Sequence, residues 1–211
     1  MALRIAVDAM GGDNAPDAVI QGVLSALESM EEPLQILLFG PADRIQPLLD
    51  EAGASADAPL TLVDAPDVIK MTDAPASAVK KKRQSSIHLG LSAQKEAEAD
   101  AFISAGNTGA VMATSMFTLG RIAGVERPSI AGYFPTLRGF SIVVDIGTNV
   151  DCRPEHLLQF ARMATVYTRH VLQIDNPSVG LLNIGEEPGK RNEQVKEAYD
   201  LLTAAKDINV K

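Results

Sequence analysis

The sequence predicts an α/β protein with an open, mostly parallel sheet and helices on both of its faces. Short runs of β-prone residues alternate with longer segments that carry apolar residues at helical spacing, as in parallel strands joined by crossover helices. Leu34 to Phe39 is a nearly continuous apolar run of strand length, which indicates a strand covered on both faces. Polar, glycine-containing segments follow four of the predicted strands, where such sheets bind ligands.

The amino-terminal part of the chain contains three predicted strands and two helices. Leu3 to Val7 is the first strand, and Pro16 is placed to open a helix whose apolar residues recur three and four positions apart. Leu34 to Phe39 is the second strand. A helix follows from about Ala42 to Ala52, and Leu60 to Val63 forms the third strand.

The remaining elements continue this alternation. A predicted loop over residues 64 to 76 leads to a basic run, Lys80-Lys81-Lys82-Arg83, and then to Ser85-Ser86, which favours a helix start. The later strands are predicted at Ala101 to Ser104, Ser129 to Phe134, Phe140 to Val144, Val179 to Leu182 and Ile208 to Val210, and the helices at Thr108 to Ile122, Pro154 to Leu172 and Glu193 to Ala205. No repeat or long linker interrupts this order, so we expect residues 1–211 to form a single α/β unit.

Composition and charge argue against several functional classes. The chain has 19 Lys+Arg against 27 Asp+Glu and a net charge of −8, which argues against a generally basic surface for nucleic acid or anionic membranes. A single cysteine, Cys152, forms no internal disulfide, which favours a reducing cytoplasm. The histidines around it match no zinc-binding spacing, so we expect no metal. No apolar stretch approaches the ~18 residues of a membrane span.

Four polar clusters stand directly after predicted strands. They are Asp8-Ala9-Met10-Gly11-Gly12-Asp13, Ser104-Ala105-Gly106-Asn107-Thr108-Gly109, Asp145-Ile146-Gly147-Thr148-Asn149 and Asn183-Ile184-Gly185-Glu186-Glu187. Because parallel strands present their carboxyl ends at one edge of a sheet, we expect the clusters to lie together there. Gly106 to Gly109 opens a helix, where unpaired N–H groups and about half a positive charge favour phosphate. A tight turn with an ordinary helix cap has the same pattern.

Familiar nucleotide-binding and catalytic motifs are missing from the sequence. No two glycines lie two positions apart, so there is no dinucleotide-binding fingerprint. Gly185 to Arg191 is one residue too short for a P-loop and has Arg191 where Ser or Thr holds magnesium. We therefore expect neither NAD nor ATP. Cys152 is a candidate acyl carrier, but ordinary packing is the simpler interpretation, because cysteine is commonly buried.

Taken in order, these clusters resemble the bacterial phosphate acyltransferase family, the acyl-ACP:phosphate transacylases of phospholipid synthesis. The segments that carry the resemblance extend over the whole chain: Asp8 to Asp13, Ser85-Ser86, Ile103 to Ala110, Asp145 to Cys152 and Leu181 to Glu187. It implies a fold similar to that of phosphotransacetylases and isopropylmalate dehydrogenases, in a homodimer that is cytoplasmic or peripherally membrane-associated. It also implies that residues 1–211 are the amino-terminal portion of a longer chain.

The activity implied by the resemblance is the formation of acyl phosphate from acyl-acyl carrier protein and inorganic phosphate. The acyl phosphate would then serve a membrane-bound glycerol-3-phosphate acyltransferase. A phosphate oxygen would attack the thioester carbonyl directly. Positioning two reactants contributes ~7–11 kcal/mol and one oxyanion donor ~3 kcal/mol, so the reaction needs no protein nucleophile, metal or other cofactor.

The resemblance also suggests roles for individual residues. Asn107 and Asn149 would orient the reacting groups, and Lys190 would offset developing charge. The candidate substrate- and phosphate-binding residues are Asp8, Gly11, Gly12, Asp13, Ser104, Gly106, Thr108, Gly109, Asp145, Gly147 and Glu186. We expect the aspartates among them to organise loops rather than to act as bases. The acidic carrier protein would dock on Lys80, Lys81, Lys82 and Arg83, unless this run is only a solvated helix face.

Two other functions stay open at this point. A phosphotransacetylase-like enzyme would carry out the same chemistry with acyl-CoA as the donor. A non-catalytic module that binds carrier protein or phosphate is favoured if the chain is complete at 211 residues. A decarboxylating dehydrogenase is suggested by fold analogy alone.

Overall fold

The structure, a computed structural model, describes residues 2–147, 149, 151–183 and 193–211. The chain divides into two compact units, Met1–Gly120 and Arg121–Lys211, and each is described by itself. The expectation of a single α/β unit over residues 1–211 stays a prediction.

The first unit is built on a parallel sheet with the strand order β3-β2-β1-β4. Its strands are β1 (Leu3–Asp8), β2 (Leu34–Gly40), β3 (Leu60–Asp64) and β4 (Ala101–Ile103). Ile5 of β1 pairs with Ile36 on one side and with Ala101 on the other. The chain adds β2 and β3 on one side of β1 and β4 on the opposite side, so the direction of strand addition reverses between β1 and β4. Such a switch point leaves a crevice at the carboxyl ends of the two strands.

Helices cover both faces of this sheet, which confirms the predicted fold class. The helices of the first unit are α1 (Asp17–Ser29), α2 (Ala42–Glu51), α3 (Pro75–Lys81), α4 (Ser86–Lys95) and α5 (Thr108–Thr118). Side chains alternate along β1, so Val7 joins one core with Ile20 and Ile45 of α1 and α2. Ala6 joins the opposite core with Ala93 of α4.

The described residues of the second unit form a hairpin, two helices and a short parallel strand pair. Its elements are β5 (Ala131–Thr136), β6 (Gly139–Val144), α6 (Pro154–Val171), β7 (Ser178–Val179), α7 (Glu193–Ala204) and β8 (Asn209–Val210). β5 and β6 are antiparallel because only Leu137 and Arg138 join them, and a parallel pair needs a crossover connection. Ala161, Leu202 and Ile208 form the buried core of this unit. Among the residues that the structure describes, no helix is both long and apolar enough to cross a membrane.

Two helix boundaries differ by more than one residue from those predicted, each for a local reason. The helix expected to reach Ile122 ends at Thr118, and Gly120 follows with a φ of +83°, a conformation that commonly ends helices. The predicted loop up to residue 76 instead ends where Pro75 opens α3, since proline fits the first turn of a helix. The predicted helix start at Ser85-Ser86 is confirmed: the Ser85 hydroxyl accepts the backbone N–H of His88 at 3.3 Å.

Two helical glycines provide a test of this packing. A Cβ on Gly90 would lie 2.5 Å from Cε2 of Phe102, whereas a Cβ on Gly22 of α1 would meet nothing within 4 Å. Overpacking costs about 1–3 kcal/mol and alanine gains up to about 1 kcal/mol over glycine in a helix. We expect Gly90→Ala to lower the free energy of unfolding by about 1 kcal/mol and Gly22→Ala to raise it by about 0.5–1 kcal/mol. Urea unfolding of both variants measures this, and equal effects would contradict the packing described.

Candidate functional site

The first two polar clusters meet at the carboxyl ends of β1 and β4. The Asp8 side chain is buried; its Oδ1 accepts the backbone N–H of Met10 at 3.0 Å, and its Oδ2 accepts the Ser104 hydroxyl at 2.7 Å. The Ser104 oxygen in turn accepts the N–H of Gly106 at 3.0 Å. These hydrogen bonds tie the two loops together, so Asp8 organises loops in this structure, and Ser104 links it to the second cluster.

The same loops approach each other too closely for side chains. A Cβ on Gly11 would lie 2.6 Å from Oδ2 of Asp8 and 2.7 Å from the backbone nitrogen of Gly106. Gly12 has a φ of +109°, which L side chains rarely adopt. Glycine is therefore required at both positions of the first cluster. The proposed donation of their N–H groups to phosphate stays a prediction.

Asn107 caps α5 and fastens the loop over residues 65–74, which we call the 65–74 loop. Its Oδ1 accepts the backbone N–H of Ala110 at 3.0 Å, as an N-cap side chain does. At 3.3, 3.1 and 3.0 Å, its Nδ2 donates to the carbonyl oxygens of Lys70, Met71 and Asp73. The side chain is 7% exposed, so its amide is bound by protein atoms and shielded from water. In this structure Asn107 positions the loop, and its contact with a substrate stays a prediction.

Thr108 and Gly109 form the first turn of α5, where backbone N–H groups have no partner within the helix. Thr108 is exposed. Gly109 is closely packed, because a Cβ there would lie 2.7 Å from Cγ of Pro75. In the segment predicted to bind phosphate, the first turn of α5 is therefore exposed to solvent at Thr108 and packed against Pro75 at Gly109.

An ion pair holds the 65–74 loop from its other side. Lys82 Nζ donates to Oδ2 of Asp73 at 2.5 Å and to the carbonyl oxygen of Val68 at 2.7 Å. The backbone N–H of Lys70 donates to the same carboxylate oxygen at 2.8 Å. The hydrogen bond from Lys82, followed by the one from the Lys70 backbone, lowers the pKa of the Asp73 carboxyl below its usual value, so this carboxylate stays charged at neutral pH.

The four residues of the basic run therefore differ in what they contact. Lys80 and Lys81 end α3 and Arg83 follows shortly after, and all three are exposed. Lys82 is half-buried, and its ammonium group binds the 65–74 loop. The exposed basic surface consists of Lys80, Lys81 and Arg83.

A cleft of about 340 Å³ opens at the switch point of the first unit. It is lined by Met10, Gly12, Asp13, Ala15, Arg44, Val68, Ile69, Lys70, Met71 and Gly106. These residues come from the loops after β1, β3 and β4 and from the first turn of α2. Arg44 and Lys70 bring two positive charges and Asp13 one negative charge, so the lining carries +1 in a chain whose net charge is −8.

Two cationic residues of the cleft, Arg44 and Lys70, are not among the site residues that the sequence predicts. Arg44 stands inside a predicted helix and Lys70 inside a predicted loop, and neither belongs to a glycine-containing cluster. Their positions in the sequence could have indicated them, because Arg44 follows β2 and Lys70 follows β3, and both strands end at the same edge of the sheet as β1. Charged residues shortly after every strand of a parallel sheet are therefore candidates.

The third cluster lies in the second unit and is closed by its own hydrogen bonds. The Oδ1 of Asp145, a residue with a φ of +67°, accepts the backbone N–H of Asn149 at 3.2 Å and its Nδ2 at 2.8 Å. Asn149 Nδ2 also donates to the carbonyl oxygen of Pro128 at 3.2 Å, and Gly147 has a φ of +69° in the same turn. Asp145 therefore organises this loop, and the side-chain nitrogen of Asn149 is bound by protein atoms.

Some predicted site residues lie outside the described residues. Glu186 and Lys190 fall within residues 184–192, so the fourth cluster is described only at Asn183, and Thr148 of the third cluster is not described. The expectation that the clusters share one edge is confirmed for the first and second. It stays a prediction for the third and fourth.

Cys152 lacks the environment of an activated nucleophile. Burial, and after it the hydrogen bond from the Cys152 sulfur to Oδ2 of Asp145 at 3.4 Å, raises the pKa of the thiol to about 11. The nucleophilic thiolate is therefore scarce at neutral pH. This environment favours the packing interpretation of Cys152 over an acyl carrier.

We expect alkylation of Cys152 to be slow near neutral pH and to accelerate about tenfold per pH unit up to about pH 10, because only the thiolate reacts. Iodoacetamide labelling followed by intact mass measures the rate. The same thiol in denaturant serves as the control, since its rate should level off near pH 9 with an ordinary pKa of about 8.5. A native rate that levels off equally early would contradict the raised pKa.

Comparison with known proteins identifies one family. Residues 3–211 match the family model described as fatty acid synthesis protein. The chain is 62% identical over 208 residues to a phosphate acyltransferase from Salinibacter ruber, and 54% identical over 204 residues to one from Chlorobaculum parvum. These matches cover 99% and 96% of this chain but 62% and 60% of the relatives. The chain thus spans about three fifths of the length of the curated relatives it matches.

Two solved structures share the fold of the chain. A branched-chain phosphotransacylase from Enterococcus faecalis has a TM-score of 0.68 at 13% identity, with 99% of this chain and 66% of that chain covered. A phosphotransacetylase from Staphylococcus aureus has a TM-score of 0.66 at 15% identity, with 99% and 67% covered. At these identities the likeness shows the fold alone. The match over residues 3–211 and the identities above confirm the resemblance, and the chain belongs to the fatty acid synthesis protein family, whose similar curated members are named phosphate acyltransferase.

Proposed function

We propose that the protein is a phosphate acyltransferase that forms acyl phosphate from acyl-acyl carrier protein and inorganic phosphate. The observation that carries the proposal is the cationic cleft at the switch point between β1 and β4. Open α/β sheets bind their ligands at such a crevice. A local charge of +1 in a chain of net charge −8 favours a small anion at this place.

The reaction needs a phosphate dianion held against the thioester carbonyl. One phosphate oxygen forms a bond to the carbonyl carbon, the C–S bond breaks, and the thiolate leaves with the carrier protein and takes a proton from water. Phosphate itself provides the nucleophile, so the protein contributes position and compensation of charge. The absence of an activated thiol at Cys152 agrees with direct attack by phosphate.

The described residues can contribute in distinct ways. Gly12 and Gly106 line the cleft with backbone that carries no side chain, which allows an anion to come close. Asp8 and Ser104 hold these glycine segments in place, and Asn107 is a positioning residue for the 65–74 loop. The roles that the resemblance implies for Asn149, and for Lys190, which lies outside the described residues, stay predictions.

The proposed donor is acyl carrier protein, an acidic partner that would dock on Lys80, Lys81 and Arg83. These exposed residues form a local basic surface on a chain whose net charge would otherwise repel such a partner. The family description supports a fatty acyl group. From the resemblance we add to the proposal a cytoplasmic or membrane-peripheral homodimer whose product serves phospholipid synthesis.

Acyl phosphate formation tests the proposed function directly. We expect the purified protein to form acyl phosphate, trapped with hydroxylamine as acyl hydroxamate, from acyl-acyl carrier protein only when phosphate is present, and more slowly from acyl-CoA. A Cys152→Ser variant should retain this activity, because the thiol is not part of the proposed chemistry. A product from acyl-CoA alone would favour the phosphotransacetylase-like function, and no phosphate-dependent product from either donor would favour a binding module.

Charge reversal tests the docking surface. We expect the triple variant Lys80→Glu, Lys81→Glu, Arg83→Glu to raise the KM for acyl carrier protein by about tenfold or more at low salt, because it converts attraction into repulsion. The KM for phosphate should stay within about twofold, since the three residues do not line the cleft. Lys95→Glu, at an exposed lysine in the last turn of α4, is the matched control. An unchanged KM for the carrier protein in the triple variant would refute the docking surface.

A further inference from the structure

In the part of the chain that the structure describes, the side chains of Arg44 and Lys70 form no hydrogen bond and no ion pair, and the charge of Lys70 interacts with the Asp73 carboxylate only at longer range. Both residues are exposed at the cleft. Lys82 differs from these two residues, because its ammonium group already forms an ion pair with Asp73. Two unpaired cations that line one concave surface are available to an anion.

The backbone of Lys70 is fixed before any ligand arrives. Its N–H donates to Oδ2 of Asp73 at 2.8 Å, and its carbonyl oxygen accepts the N–H of Asp73 at 3.0 Å and Nδ2 of Asn107 at 3.3 Å. The preceding residue, Ile69, is buried in a core cluster with Ile87 and Ala78. A fixed backbone lowers the entropy cost of ordering the Lys70 side chain around an anion.

Arg44 lies in the first turn of α2, whose backbone is also fixed by hydrogen bonds. The N–H of Ala42 donates to Oδ1 of Asp64 at 2.9 Å, and the N–H of Arg44 donates to the carbonyl oxygen of Pro41 at 3.0 Å. The next residue, Ile45, is fully buried in the core between α2 and the sheet. The guanidinium group of arginine is planar and offers paired N–H donors that match two oxygens of a phosphate.

We propose that Arg44 and Lys70 bind inorganic phosphate in this cleft and that Arg44 sets its orientation, an assignment that rests on the proposed function. Gly12 and Gly106 also line the cleft and leave room beside the two cations. Asp13, the lining carboxylate, neutralises only one of the two positive charges. At about 340 Å³ the cleft is at the small end of ligand sites, which suits a tetrahedral dianion next to the end of a thioester.

Calorimetric titration of the full-length protein with inorganic phosphate tests this assignment. We expect Arg44→Gln and Lys70→Met each to raise the Kd for phosphate by about tenfold or more, because each removes a charge-assisted hydrogen bond. Arg44→Lys keeps the charge but loses the paired donors, so its Kd should fall between those of the wild type and Arg44→Gln. Lys95→Met, at an exposed lysine outside the cleft, is the matched control and should bind phosphate as the wild type does.

The binding result and the proposed function can fail separately. A wild-type Kd in both Arg44→Gln and Lys70→Met, or no phosphate binding by the wild type, overturns the assignment whether or not the protein forms acyl phosphate. Phosphate binding that depends on both residues, without any acyl phosphate from the wild type, supports the assignment and refutes the proposed function. If Arg44→Gln or Lys70→Met has a lowered Tm, the charge-retaining variants Arg44→Lys and Lys70→Arg are measured instead. A Kd for phosphate raised by no more than about tenfold in these variants supports the assignment, and complete loss of phosphate binding overturns it.

Discussion

The side-chain amide of Asn107 holds the 65–74 loop against the start of α5, and the candidate cleft depends on this attachment. Val68, Ile69, Lys70 and Met71 of that loop line the cleft. Without the amide nitrogen, the carbonyl oxygens of Met71 and Asp73 would lose their donor beside a buried side chain, whereas that of Lys70 would keep the N–H of Asp73. An unpaired polar group in such a place costs about 1–3 kcal/mol. The ion pair between Asp73 and Lys82 supports the same loop independently.

The strand order of the first unit explains why this place suits an anion. Because β1 lies between β2 and β4, the loops after β1 and β4 meet at the switch point, and the hydrogen bond from Ser104 to Asp8 holds them together. The close approach at Gly11 excludes side chains from the junction. Arg44 and Lys70 supply positive charge from the segments that follow β2 and β3, the two strands on the other side of β1 from β4. The proposed binding of a small anion thus rests on topology, backbone packing and local charge together.

The sequence predicts those features that are local to a segment. Alternating strand and helix periods indicate the α/β fold, and glycine with polar residues after β1 and β4 indicates the edge where we propose that a ligand binds. The placement of Arg44 and Lys70 at one cleft is not local, because it arises only when the strand order places β2 and β3 on the same side of β1. The ion pair between Lys82 and Asp73 is not local either. The sequence shows four adjacent basic residues, and only the folded structure shows which of them has an acidic partner.

An experimental structure of the protein with bound inorganic phosphate tests the central claim most directly. The account predicts phosphate oxygens about 2.7–3.2 Å from the guanidinium nitrogens of Arg44 and from Nζ of Lys70. It also predicts that Asn107 still donates to the carbonyl oxygens of the 65–74 loop in that structure. Phosphate bound away from the cleft, or bound there after the loop has separated from Asn107, would contradict the account.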